Sequence, residues 1–203
     1  MNTIDQLTEL FEHFPGIGPR QARRFVHYLL SERQSYRTNL SDMIRQLGSQ
    51  TNQCKQCFRW FVKDDASSGL CFACANPSRN ARILFLVEKD ADIENVERSG
   101  FRGHYFVLGG TIQLASEEPE KYIRLAELMR RVETDGERLS EIILGFSATT
   151  EGDHTRLIVQ EKLRPLAERF NFKLSSLGRG LSTGSELEYA DPDTIASAMS
   201  SRR

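Results

Sequence analysis

All four cysteines of this 203-residue chain fall in one short stretch, as Cys54-x-x-Cys57 and Cys71-x-x-Cys74, with thirteen residues between the pairs. A C-x-x-C turn lets two thiolates converge on one cation. Two such turns supply a closed tetrahedral S4 shell, the geometry of structural zinc. Two disulfides are the competing reading. They suit a secreted domain, and the first 30 residues show no basic-then-apolar leader. The cysteines therefore read as ligands of one structural Zn2+ per chain in a protein of the reducing cytoplasm. A closed S4 shell leaves no position for water, so catalytic zinc is not expected. Metal binding also supports a loop-rich module that has no core of its own.

The chain is too long to be a zinc module alone, and 39% apolar residues suffice for a packed domain besides. No apolar run is long enough to span a bilayer. The net charge of −1 is unevenly spread. Residues 13–63 hold nine basic and two acidic side chains, so that segment is +7 and the remainder −8. Such segregation suggests a phosphate-facing surface near the N-terminus, although a solvated Arg-rich helix face has the same composition.

Hydrophobic periodicity predicts a helix over 3–13, with Leu7, Leu10, Phe11 and Phe14 on one side. Pro15-Gly16-Ile17-Gly18-Pro19 then forces a tight turn. Pro19 opens a second helix, to about Leu30, that buries Ala22, Phe25, Val26, Leu29 and Leu30. Its opposite face carries Arg20, Arg23, Arg24 and His27. A third helix is expected over 39–48. After the cysteines, strands at 82–88, 104–108, 141–146 and 172–177 alternate with helices at 91–99, 119–133 and 153–169, the last kinked or split by Pro165. That alternation predicts a mostly parallel sheet with helices on both faces. A Gly-rich loop, 178–184, and a helix from about Asp191 close the chain.

Two helices joined by Pro-Gly-Ile-Gly-Pro have the form of a helix-hairpin-helix. Gly16 and Gly18 let the backbone approach a DNA phosphate, and the start of the second helix offers N–H groups and a positive dipole end. Ile17 is expected to tuck inward. Arg20 and Arg24, one turn apart, would neutralise neighbouring phosphates without sequence preference. Packing against another copy is the alternative use of the same turn. Glu88 ends a buried strand, where ligands of parallel sheets bind. Metal-assisted phosphoryl chemistry needs several converging carboxylates. The segment after 141–146 offers only Glu151 and Asp153, and Asp90 and Asp92 read as helix-start residues. Catalysis is not expected. The alternative is a nuclease or topoisomerase-like enzyme using Glu88 and Mg2+. Phe58 and Trp60 are expected to pack the zinc module's small core.

The ordered set FPGIGPRQARRFVHYLL (14–30), the four cysteines, NARILFLVEKD (80–90), VERSGFRGHYFVLGG (96–110), ATTEGDHT (148–155) and LGRGLSTGSELEYADPDTIASAM (177–199) resembles the bacterial RecR recombination-mediator family over nearly the whole chain. The run Thr111–Ala115 and Ser182 depart from the family's usual pattern. The resemblance implies a multidomain α/β fold. Its parts would be a helix-hairpin-helix (1–53), a C4 zinc finger (54–74), a Toprim domain with a mostly parallel sheet (81–177) and a C-terminal extension (178–203). It implies a non-enzymatic scaffold that forms homodimers or ring-like homotetramers around DNA. With RecO, and in many bacteria RecF, such a scaffold loads RecA on gapped, single-stranded DNA. The family's basic DNA contacts fall on Arg20 and Arg24.

Overall fold

The computed structural model describes residues 2–63, 69–116, 118, 121–181, 184 and 186–200. The middle of the expected zinc module, the first residues of the helix expected from 119, and Ser182 in the C-terminal loop lie outside the described residues. The chain divides into two compact units, 1–51 and 52–203.

The first unit is built of helices α1 (Thr3–Glu12), α2 (Pro19–Ser31) and α3 (Gln34–Gln50). Asn2 caps α1 by accepting from the Asp5 N–H at 3.0 Å, and Pro19 occupies the first turn of α2. Helix α3 begins five residues earlier than periodicity predicts. Arg37 accounts for part of this: its guanidinium donates to the carbonyls of Leu29 and Glu32 (3.0 and 2.6 Å), capping the end of α2 from within α3. Few side chains of this unit are fully buried. Ala22 and Val26 are; Leu30, expected to be, is 55% exposed, and Leu10, Phe14, Ile44 and Leu47 are likewise exposed. No residue of α3 is buried.

The second unit opens with a short ribbon, β1 (Thr51–Gln53) paired with β2 (Trp60–Val62), and a single helical turn, α4 (Phe72–Ala75). A four-stranded sheet follows. It consists of β3 (Asn80–Val87), β4 (Gly103–Val107), β5 (Glu141–Gly145) and β6 (Lys173–Ser176), in the order β4-β3-β5-β6 and parallel throughout. The connecting helices are α5 (Asp90–Arg98), α6 (Leu125–Asp135) and α7 (Thr150–Phe170), and α8 (Pro192–Ser200) follows the sheet. Central β3 is apolar on both faces, as a strand covered on both sides must be.

Strand alternation sorts the core into two layers. Leu84, Leu86, Phe106, Ile142 and Leu144 pack with Leu128 and Val132 of α6 and Val159 and Leu163 of α7. On the other face Phe85, Val87, Tyr105 and Val107 pack with Ile93 of α5 and with Cys54, Cys57 and Cys71. Helices lie on both faces, as expected; the cysteine module shares the second face with α5, so it has a core in common with the sheet. It also covers the edge strand, because the Val107 N–H donates to Cys57 O at 2.8 Å. Pro165 does not break α7, which runs unbroken for 21 residues. Both Pro165 and Glu161, whose carbonyl loses its donor, are exposed, so water can replace the missing bond.

Candidate metal centre and nucleic-acid interface

Two knuckles bring the four cysteines together. In the first, Phe58 N–H donates to Cys54 O (3.0 Å) and Phe58 takes a left-handed φ of 62°. In the second, Ala75 N–H donates to Cys71 O (2.9 Å) at the single turn α4. All four Sγ atoms lie within 4.8 Å of one another, and Cys57 and Cys71 Sγ are 3.4 Å apart. An S4 tetrahedron with ~2.3 Å metal–sulfur bonds has edges of about 3.8 Å, so the cluster could hold one metal ion. Cys54, Cys57 and Cys71 are buried and Cys74 is half-buried. Packed without a cation, the thiols compete for ionisation. Hydrogen bonds from Cys57, Cys71 and Cys74 pull the Cys54 thiol down, while those with Cys54, Cys57 and Cys71 push Cys74 up. A divalent cation removes that competition by stabilising every thiolate.

The module's aromatic residues depart from expectation. Trp60 is 56% exposed, because in β2 it points outward with Val62 while Phe61 points inward. Phe58 leaves the cysteines for the sheet, meeting Phe106 edge-on at 5.4 Å beneath the Arg124 guanidinium. Asp92 Oδ2 accepts from the Lys89 N–H at 2.8 Å and so caps the start of α5, whereas Asp90 Oδ1 accepts from the Trp60 N–H at 2.7 Å and ties β2 to that helix. Behind the second knuckle Arg79 is buried. It pairs with Glu97 at 2.7 Å, donates to Gly103 O at 2.8 Å, and stacks over Tyr105. Burial pushes the Glu97 carboxyl up, but the Arg79 guanidinium and the Tyr105 hydroxyl, with Arg102, together hold it below the usual range.

In the hairpin, Gly16 has φ +76°, a conformation that favours glycine, and a side chain at Gly16 or Gly18 would meet nothing within 4 Å. The turn's backbone is therefore open to a ligand. Gly18 is the N-cap of α2 and supplies no side-chain cap; Pro19 has no N–H and the Gln21 and Ala22 N–H groups reach Gly18 O, so the Arg20 N–H is the first-turn donor left to an external acceptor. Ile17 is half-buried, as expected. Arg20, Arg23, Arg24 and His27 are all exposed. Arg23 pairs with Asp5 at 3.2 Å, and Arg24 donates to Gln21 Oε1 at 3.3 Å. Among the described residues, neither Arg20 nor Arg24 has an ion-pair partner.

At the carboxyl end of β3, Glu88 is buried. Its Oε1 accepts from Ser147 N–H (2.7 Å) and Ser147 Oγ (2.8 Å), tying β3 to the turn after β5. Thr149 caps α7 by accepting from the Gly152 N–H at 3.1 Å. A Cβ on Gly152 would sit 2.3 Å from Ser147 O, so this glycine lets the helix start against the turn. Glu151 and Asp153 do not join Glu88. The Thr111 Oγ donates to Glu151 at 3.4 Å, and Asp153 is held by Arg156 and Arg179. The hydrogen bond from Arg179 lowers the Asp153 carboxyl below its usual range. Among the described residues, only the four cysteines group closely enough to hold a metal. Sequence reasoning missed Ser147 and Arg179; the Thr149-x-x-Gly152 cap was the one local signal pointing to that turn.

A family model for the RecR helix-hairpin-helix matches residues 4–47, one for the Toprim domain matches 82–172, and one for the RecR C-terminal region matches 180–203. Recombination protein RecR of Dehalococcoides mccartyi is 37% identical over 201 residues, covering 98% of this chain and 93% of that protein. The chain belongs to the RecR family. The RecR proteins of Chloroflexus aggregans and Ruegeria pomeroyi are each 35% identical across 98% of this chain, covering 93% and 96% of their own lengths. The helix-hairpin-helix, Toprim and four-cysteine elements expected from the resemblance are therefore present. No helix among the described residues is long and apolar enough to cross a membrane.

Proposed function

We propose that this chain is a non-enzymatic, DNA-binding scaffold of recombinational repair, working in the cytoplasm. The open turn of the hairpin carries this reading: a bare helix N-terminus lies beside Arg20 and Arg24, neither ion-paired among the described residues. Gly16, Gly18, Arg20 and Arg24 contact DNA phosphates without reading sequence. Cys54, Cys57, Cys71 and Cys74 hold one structural Zn2+. The working parts are the hairpin region 1–53, the zinc finger 54–74, the Toprim domain 81–177 and the C-terminal extension 178–203. Buried Glu88, hydrogen-bonded to Ser147 and not grouped with other carboxylates closely enough to hold a metal among the described residues, supports a scaffold over a two-metal nuclease.

Self-association is part of the proposal. An apolar groove of about 980 Å³ runs through the hairpin unit, lined by residues that include Leu10, Phe14, Leu30, Ile44 and Leu47. A surface of this kind favours coverage by a second copy, in a homodimer or ring-like homotetramer. With RecO, and with RecF where present, the assembly would help load RecA on gapped DNA coated by single-strand-binding protein. The test is light scattering with and without a gapped duplex, followed by a RecA-loading assay with RecO. The expected result is an oligomer that binds DNA and speeds loading. A monomer that neither binds DNA nor affects loading would contradict the proposal.

A further inference from the structure

A cavity of about 260 Å³ lies between the first cysteine knuckle and helix α6, beside the edge strand β4. Its walls include Lys55 and Phe58 of the knuckle and Glu127, Arg130, Arg131 and Asp135 of α6. Three cationic side chains thus face two carboxylates, and the carboxylates are already engaged. Glu127 pairs with Arg130 at 3.4 Å. Asp135, buried, is shared between Arg131 and a further arginine, Arg138. One carboxylate cannot neutralise two guanidinium groups, and Arg131 Nη1 is buried without an acceptor among the described residues. Lys55 makes no ion pair among the described residues either. Its position is nonetheless set: its N–H donates to Gly69 O at 3.1 Å, and its stem lies on Gly69, where a Cβ would come within 2.7 Å of Cε and 3.0 Å of Nζ.

An exposed lysine without an ion pair and an arginine that shares its one carboxylate with Arg138, supplied by separate elements, therefore border one small polar cavity. We propose that the cavity is an oxyanion site that takes a phosphate group. Lys55 supplies a point charge from the first knuckle and Arg131 a directional guanidinium edge from α6. The site is separate from the hairpin turn and adds a phosphate contact to the larger unit. It rests on the DNA-binding reading only for the source of the phosphate, which is either a DNA backbone or a free phosphate-bearing ligand.

The test uses full-length, metal-loaded protein with two probes, inorganic phosphate followed by calorimetry and a labelled gapped duplex titrated between 50 and 200 mM salt. Lys55→Gln and Arg131→Gln are compared with wild type after metal content and melting are matched. Lys55 is exposed, so its variant decides the matter if Arg131→Gln fails to fold. For a DNA phosphate, each substitution lowers the log–log salt slope by about 0.7–0.9, so the affinity lost between 50 and 200 mM salt shrinks roughly threefold. An unchanged slope with several-fold weaker binding of inorganic phosphate also supports the site and assigns it a free ligand. Wild-type protein that binds phosphate but no DNA retains the cavity assignment and defeats the hairpin reading. If Lys55→Gln alters neither probe, the site does not exist.

Discussion

Glu88→Ala should destabilise the larger unit without removing any activity. The wild-type carboxylate accepts two hydrogen bonds from Ser147, at 2.7 Å from the backbone N–H and 2.8 Å from the hydroxyl. The hydroxyl has a second partner, Thr149 Oγ at 3.0 Å, and can turn to it. The backbone N–H has no such choice, and it sits beside a carboxylate that is only 7% exposed. An orphaned part-buried donor costs ~1–3 kcal/mol, and the charged acceptor adds to that, so the loss should be about 3 kcal/mol. For a unit of this size that is roughly 6–12 °C of melting temperature. Glu88→Gln keeps a carbonyl acceptor and should lose less than half as much. The assay is thermal melting of both variants beside incubation of supercoiled, nicked and gapped DNA with Mg2+ or Mn2+. If Glu88→Ala melts with wild type, the carboxylate is not the structural acceptor described. If wild type cleaves or relaxes DNA in a metal-dependent way that Glu88→Ala abolishes, the scaffold account is wrong and the enzyme reading takes its place.

Cys54→Ser should lower metal content from about one zinc per chain, because a hydroxyl replaces a thiolate poorly. Since the cysteines share a core with Tyr105 and Val107, hydrogen exchange should also quicken in β4, and protection unchanged outside 54–74 would contradict that shared core. Arg79→Met leaves Glu97 and the Gly103 carbonyl without their main partner and should cost about 3 kcal/mol by chemical denaturation. A loss below ~0.5 kcal/mol would mean that the pair is no better than a solvated one. His104 titrates below its ordinary range, through burial and the nearby Arg131 and Arg79 charges. Below the ordinary value near ~6.5 the unfolded chain takes up a proton that the folded chain resists, so stability falls with falling pH, and His104→Gln should flatten that slope between pH ~7 and ~5.5. Identical pH profiles for the two proteins would refute it.

Local signals carried much of the fold. The run Arg82–Glu88 reads directly as a doubly covered strand, and β3, Asn80–Val87, is that strand. The spacing of the cysteines and the Pro-Gly-Ile-Gly-Pro turn likewise needed no distant information. What escaped reading depends on partners far along the chain. Period-2 alternation places Trp60 and Phe61 on opposite faces, but only the sheet packed behind decides that Phe61 is the buried one. Pro165 looks like a break until its solvent exposure is known. Glu88 finds its partner 59 residues away, and Asp153 finds Arg179 26 residues away. No spacing rule predicts either pairing, and both bear on whether the carboxylates converge. The exposure of Leu30 reflects a helical unit whose apolar face is open in the single chain.

The most direct test of the central claim is the salt dependence of DNA affinity for the Arg20→Ala, Arg24→Ala double variant. Both side chains are exposed and neither has an ion-pair partner among the described residues, so folding and metal content should match wild type. Losing two phosphate contacts should lower the log–log slope by about 1.4–1.8 and weaken binding equally across sequences. A double variant with wild-type slope and affinity would show that the hairpin does not face DNA.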